Sequence, residues 1–207
     1  YRALFTRLDL ARYVVNSTLL AAAVTSVSLV LNSMAGYAFA KFRFGGRDRL
    51  FRILLAALVI PGQVAMLPLF LLLKELGCIN TYWGVIIPGM ASIFGIFLIR
   101  QYALSIPDSL LDAARIDGAG EFRIYWSLVL PACKPILVTL AIFTFMGTWN
   151  DFLWALIVLR DRAMLTLQPG LRTLQGAYTS EYGLMMAGAA IVAIPVLLIY
   201  IFLQRYV

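Results

Sequence analysis

The chain has 207 residues, of which 62% are hydrophobic and only 13% charged, with a net charge of +7 and no histidine. Soluble domains carry about 25% charged residues, so a mean hydropathy of +0.90 excludes an ordinary water-soluble core. The missing histidine removes the commonest general base and a major metal ligand, and the positive charge is scattered over connecting segments instead of gathered on the single patch of a nucleic-acid binder.

Five stretches define the predicted elements. Residues 13–40, 53–73, 83–99, 136–150 and 184–203 contain no Asp, Glu, Lys or Arg. A membrane-crossing helix needs about 20 largely apolar residues, and the fourth stretch reaches that length by continuing past Asp151 to Leu159. Runs such as Ile53-Leu54-Leu55-Ala56-Ala57-Leu58 do not alternate as barrel strands do. Helices are the other way to satisfy every backbone group in lipid. The fold class expected is therefore an all-α, polytopic integral membrane protein with five spans, at 13–40, 51–73, 83–103, 135–159 and 184–203. The 1–207 chain reads as a single transmembrane domain.

The loop after the first span, residues 41–52, holds five basic residues and one acidic. Residues 74–82 hold one of each, and the third loop holds Arg100, Arg115, Arg123 and Lys134. Short Lys/Arg-rich loops stay in the cytoplasm, so the first and third loops are expected inside, the second and fourth outside. Residues 1–12 then lie outside and 204–207 inside. An external start without a cleavable signal predicts a sixth helix upstream of Tyr1. Cys78 and Cys133 fall on opposite sides, which excludes a disulfide between them. Small and helix-breaking residues recur in the spans: Gly36 in the first, Pro61-Gly62 and Pro68 in the second, Pro88-Gly89 and Gly95 in the third, Gly188 and Pro195 in the last. They suit close helix packing or a bundle that moves.

The third loop is long and patterned. Ser105 to Ser109 reads as a helix start, with Ser and Asp as capping candidates and Pro107 in the first turn. Residues 110–117 are helical in propensity, Gly118 can end that helix in a left-handed conformation, and 121–130 read as a second helix closed by Pro131 and Pro135. The 105–131 segment is thus predicted to be a helical hairpin outside the bilayer. Its mixed charges and its small-residue turn, Ala113, Ala114, Gly118, Ala119 and Gly120, favour docking into a protein groove over resting on lipid.

Asp112-Ala113-Ala114, three residues, Gly118, nine residues, Leu128, one residue, Leu130-Pro131 resembles the "EAA" loop of ATP-binding-cassette (ABC) importer permeases, with Asp112 in place of Glu and Leu128 in place of Ile. The chain is also similar to the maltose-type carbohydrate permeases in further segments. They are Ala35 to Phe44, Ile60 to Gln63, Asn80 to Gly84, Ala114 to Ala119, Trp149 to Trp154, Thr166 to Leu171 and Phe202 to Tyr206.

That resemblance implies the type I importer fold. It implies a coupling loop made by Leu111, Asp112, Ala113, Ala114, Asp117, Gly118, Ala119, Leu130 and Pro131, docked in a dimer of cytoplasmic ATP-binding subunits. It also implies a second permease subunit, an extracytoplasmic sugar-binding protein, and residence in the bacterial cytoplasmic (inner) membrane. The family's first helix and short C-terminal tail have no counterpart in these 207 residues.

No cofactor is expected in this chain, because it lacks a Gly-x-x-x-x-Gly-Lys-[Ser/Thr] phosphate loop; ATP and Mg belong to the partner ATPase. A serine elbow and His-Glu-x-x-His are also missing, which argues against an enzyme. Asp151 is the one acid inside a span. With Trp149 and Asn150 it either lines the sugar path or makes a structural hydrogen bond to Thr148, Gln63 or another polar group. Gln168, Pro169, Gly170 and Leu171 form the expected turn at the tip of the fourth loop, and the resemblance implies that this loop faces the binding protein. The resemblance implies a sugar or polyol as the cargo, and the absence of Lys and Arg deep in a span disfavours an anionic one. Glycerol phosphate or another solute, and more remotely a secondary transporter, remain alternatives.

Overall fold

The computed structural model describes residues 9–172 and 182–203. Among these residues every regular element is helical: α1 Leu10–Lys41, α2 Arg47–Ala57, α3 Gly62–Glu75, α4 Trp83–Gly89, α5 Ile93–Leu104, α6 Asp108–Ile116, α7 Glu121–Ala132, α8 Lys134–Trp149, α9 Leu153–Val158, α10 Leu167–Arg172 and α11 Tyr182–Leu203.

All five predicted spans fall on these helices. α1 (32 residues) and the stretch Trp83–Leu104 (22 residues) are each long and apolar enough to cross a bilayer, and bent pairs raise the number to as many as four among the described residues. The second, third and fourth predicted spans are interrupted where continuous helices were expected. Each interruption has a local cause. Pro61 has no amide to continue a helix. Beyond Pro88-Gly89, the backbone N–H of Ser92 donates to Asn32 Oδ1 (3.0 Å) and Ser92 Oγ accepts from Gly95 N–H (2.9 Å). After Trp149, Asp151 Oδ1 accepts from Trp154 N–H (3.1 Å). Side chains thus satisfy groups that the broken helices release. Many large apolar side chains face outward, Val59 at 83% exposure among them, as lipid-facing helices require.

The chain divides into two compact units. One contains the described residues 9–25, 65–89, 142–172 and 182–203. Its core gathers Leu10, Tyr13, Leu73, Trp149, Trp154 and Leu167. Asn16, buried on α1, donates from Nδ2 to the carbonyls of Ala163 (3.0 Å) and Leu165 (2.9 Å) and accepts from Tyr82 OH (2.9 Å). Ser17 Oγ accepts from Leu167 N–H (2.8 Å).

The other unit contains residues 26–64 and 90–141. Its core gathers Tyr37, Ala103, Ile106, Leu111, Ile124 and Val129. Gly36 lets α1 touch α5: a Cβ there would stand 2.7 Å from Ile99 side-chain atoms. Arg100 donates from Nε to Phe39 O (3.2 Å) and lies 4.1 Å from the Phe51 ring centre. Cys78 and Cys133 are both free thiols.

Candidate functional site

The 105–131 segment is a helical hairpin whose ends differ from the expected caps. Ser105 ends α5, and Pro107, in extended conformation, precedes α6 without a side-chain cap. Asp108 occupies the first turn and Arg115 the last, an arrangement the helix dipole favours. Leu111 is 1% exposed and packs inward, and Ala114 is half-buried against the same core.

Gly118 has φ +82 and ends α6. Its N–H donates to Arg115 O (3.0 Å) while Ala119 N–H reaches Ala114 O (2.9 Å), the paired bonds of a Schellman turn. The left-handed glycine expected there is therefore present. A Cβ at Gly118 would meet nothing within 4 Å, so the requirement for glycine lies in the backbone angle alone.

α7 begins at Glu121 and contains a π-helical stretch, Tyr125–Val129, just before Pro131. It continues through Pro131 where a stop was expected. Proline's ring crowds the carbonyl four residues back and removes one amide, and a wider turn relieves both. The chain then bends by 78° between α7 and α8.

Charges lock the hairpin. Arg115 donates to Asp112 Oδ1 and to Glu121 Oε1, each at 2.7 Å. The hydrogen bond from Arg115 holds the Glu121 carboxyl below its ordinary range, against the opposing effect of burial. Asp108 is likewise lowered, first by its hydrogen bond from Lys41 and then by the Lys41 charge. The exposed surface mixes large apolar side chains, Ile116 at 86% and Phe122 at 71%, with the small Ala113 and Gly118 and the acidic Asp112 and Asp117. Ile116, Phe122 and Trp126 were not singled out from sequence. Their signal was available as large apolar residues at positions where a solvated hairpin would carry polar ones.

The other candidate residues sit in the first-described unit. Trp149 is 1% exposed and donates from Nε1 to Val192 O (3.1 Å), so it is a core side chain. Asp151 is used as a helix cap, and its N–H donates to Thr148 O (3.3 Å). Asn150 is exposed, and its Oδ1 accepts from Gln168 Nε2 (3.4 Å). The structure thus brings Asn150 to Gln168. The expected turn at Gln168 to Leu171 is instead the helix α10, with Pro169 and Gly170 buried and Gly170 pressed against the Tyr13 ring. Residues 173–181 of that loop, and 204–207, lie outside the described residues.

Residues 29–207 match the family of binding-protein-dependent transport system inner membrane components. The chain belongs to that family. It is 42% identical over 191 residues to the arabinooligosaccharides transport system permease protein AraQ of Halalkalibacterium halodurans, covering 92% of this chain and 68% of that protein. It is 34% identical to the lactose transport system permease protein LacG of Rhizobium radiobacter, covering 97% and 74%. It is also 34% identical to the sn-glycerol-3-phosphate transport system permease protein UgpE of Yersinia enterocolitica, covering 92% and 69%.

The permease superposes with TM-score 0.83 on a chain of a bacterial ABC transporter that imports the acidic polysaccharide alginate, at 29% identity, covering 94% of this chain and 74% of that one. A chain of the MetNI methionine ABC transporter shares the fold, with TM-score 0.72 at 20% identity, covering 95% and 93%. The protein is an ABC importer permease, an all-α membrane subunit of the bacterial inner membrane.

Proposed function

We propose that this permease carries a neutral sugar or oligosaccharide inward across the cytoplasmic membrane. A second permease subunit completes the path. A pair of cytoplasmic ATPase subunits, binding ATP and Mg, drives it. An extracytoplasmic sugar-binding protein delivers the cargo. The 105–131 hairpin is the contact for the ATPase, through Asp112 to Ala114, Asp117 to Ala119, and the Leu130-Pro131 end, while Leu111, expected in that contact, is buried and anchors the hairpin from the core side.

The observation that carries this reading is the hairpin itself. Arg115 ties its two helices together through Asp112 and Glu121, and it exposes large apolar side chains, Ile116 and Phe122, beside the small Ala113 and Gly118, which suits a protein groove better than water. The sugar cargo rests on the relatives named for arabinooligosaccharides and lactose. The relative named for sn-glycerol-3-phosphate keeps an anionic cargo as the second reading. Asn150 and Gln168, joined and partly open, are the residues we place nearest the cargo or its binding protein, with Asp151 and Leu171 beside them and Trp149, Pro169 and Gly170 as their support.

The test is purification of the permease complex and reconstitution in vesicles with radiolabelled arabinooligosaccharide, lactose and glycerol 3-phosphate. ATP-dependent uptake of a neutral sugar, with an ATPase subunit retained, is expected. Uptake that runs on an ion gradient without ATP would sink the importer reading, and uptake of glycerol phosphate alone would sink the sugar.

A further inference from the structure

Three polar residues stand at successive four-residue steps near the end of α1, and each bonds to the hairpin or its entry. Ser33 Oγ lies 2.7 Å from Tyr125 OH on α7. Tyr37 OH donates to Glu121 Oε2 at 3.2 Å. Lys41 Nζ donates at 2.6 Å both to the Ile106 carbonyl, just before α6, and to Asp108 Oδ1 at its start. Residues four apart share a helix face, so the three bonds form a ladder along one side of α1.

The ladder is shielded from water over most of its length. Ser33, Tyr37 and Tyr125 are 2–4% exposed, and the Lys41 side chain is 7% exposed. Apolar residues of similar shape would fill the same space without a matching partner. The Lys41–Asp108 pair cannot add much stability, because the Asp108 side chain is 77% exposed and such pairs contribute little in water. What the ladder supplies is registration. A hydrogen bond fixes distance and direction, whereas packing alone lets the hairpin slide along α1. Gly36, within the ladder, is held against Ile99 of α5, and α1 has neither proline nor break over its 32 residues.

We infer that Ser33, Tyr37 and Lys41 are positioning residues that transmit displacement of the hairpin to α1, so that α1 moves with it in each transport cycle. This rests on the proposed docking of the hairpin on an ATPase subunit. Without the ladder the ATPase still docks and hydrolyses, but its closure moves the hairpin against α1 instead of moving both.

The readout is sugar taken up per ATP hydrolysed in reconstituted vesicles, with the retained ATPase subunit quantified in each preparation. Lys41→Met should keep the ATPase subunit and lower the ratio about 2- to 30-fold, the range of coupling changes that single residues produce, while Lys41→Arg keeps most of the ratio. Ser33→Ala and Tyr125→Phe remove the same bond, so the double variant should be no worse than the poorer single one. An unchanged ratio in Lys41→Met, or additive losses in the Ser33/Tyr125 set, overturns the ladder alone. Absence of any ATPase subunit from the unmodified complex overturns the docking reading on which it rests.

Discussion

Trp154 donates its indole N–H to the carbonyl oxygen of Gly84 at 3.0 Å, and the bond joins two motifs 70 residues apart in the chain. The approach depends on glycine. A Cβ at position 84 would stand 2.6 Å from the Cys78 carbonyl oxygen and against the Val158 side chain. Val158 is fully buried, and Trp154 is 9% exposed.

Gly84→Ala should therefore destabilise the permease by about 1–3 kcal/mol, the usual effect of overfilling a packed site. Thermal unfolding in detergent, followed by Trp fluorescence, measures it. Val158→Ala in the same chain should recover only part of the loss, because the Cys78 carbonyl cannot retreat as a side chain can. Full recovery would mean that the contact with Val158 alone sets the requirement.

Asn80 yields a finer contrast. It adopts φ 57, and its Oδ1 accepts from the backbone N–H groups of Arg160 (3.0 Å) and Asp161 (2.9 Å), while its own N–H donates to Val158 O (2.9 Å). Asn tolerates the left-handed region better than most residues. Asn80→Gly keeps the backbone angle and loses the side-chain bonds; Asn80→Ala loses both. The alanine variant should be less stable than the glycine variant by about 1 kcal/mol, the penalty of a Cβ at positive φ, in the same unfolding assay. Equal stability would show that the two side-chain bonds carry the whole effect.

Much of this architecture is legible in the sequence, for identifiable reasons. α1 is built on the charge-free run of residues 13–40, so its length follows from lipid burial. Pro61-Gly62 and Pro88-Gly89 mark two of the three interruptions. The third, at residues 150–152, has no proline, and its sign is Asp151 three residues before Trp154, the spacing of a cap. The hairpin's Gly118 is legible because few residues other than glycine accept φ +82 cheaply. The π-helical stretch is not, because it depends on how Tyr125 and Val129 pack as well as on Pro131. Gln168 to Leu171 misleads a local reading: proline and glycine suggest a turn, but Pro169 fits a helix's first turn and Gly170 is small for Tyr13, a contact across more than 150 residues of sequence.

The hairpin should respond to acid. Asp108 and Glu121 are both held below the ordinary carboxylate range by Lys41 and Arg115 respectively. A group whose folded value is lowered contributes stability that is complete above the ordinary value, about 4, and is lost as pH falls through the lower folded value. A spin label on exposed residue 113 should thus stay ordered from neutral pH down to about 4 and loosen below it. Glu121→Gln should remove most of that pH dependence and Asp108→Asn little of it, because the Asp108 side chain is 77% exposed. A label that loosens between pH 7 and 5 instead would point to a different group.

The strongest demand on the proposed ATPase contact comes from comparing substitutions that differ in what they disturb. Ala114 is half-buried beside Leu111, so an acid there perturbs the hairpin as well as its surface. Ala113 and Ile116 are exposed, and Ala113→Asp or Ile116→Ser changes only the surface. Both should leave the permease folded while the ATPase subunit is lost on purification and uptake falls at least about 10-fold, the effect of removing about 1.4 kcal/mol from an interface. Gly118→Val strains the turn itself, because a β-branched residue at positive φ is a genuine outlier, whereas Gly118→Asn tolerates that region. The expected order of retained uptake is therefore Gly118→Asn above Gly118→Val, with the membrane helices intact in both. If Ala113→Asp and Ile116→Ser both retain the ATPase subunit and full uptake, the exposed tip of the hairpin is not the ATPase contact, whatever the turn variants do.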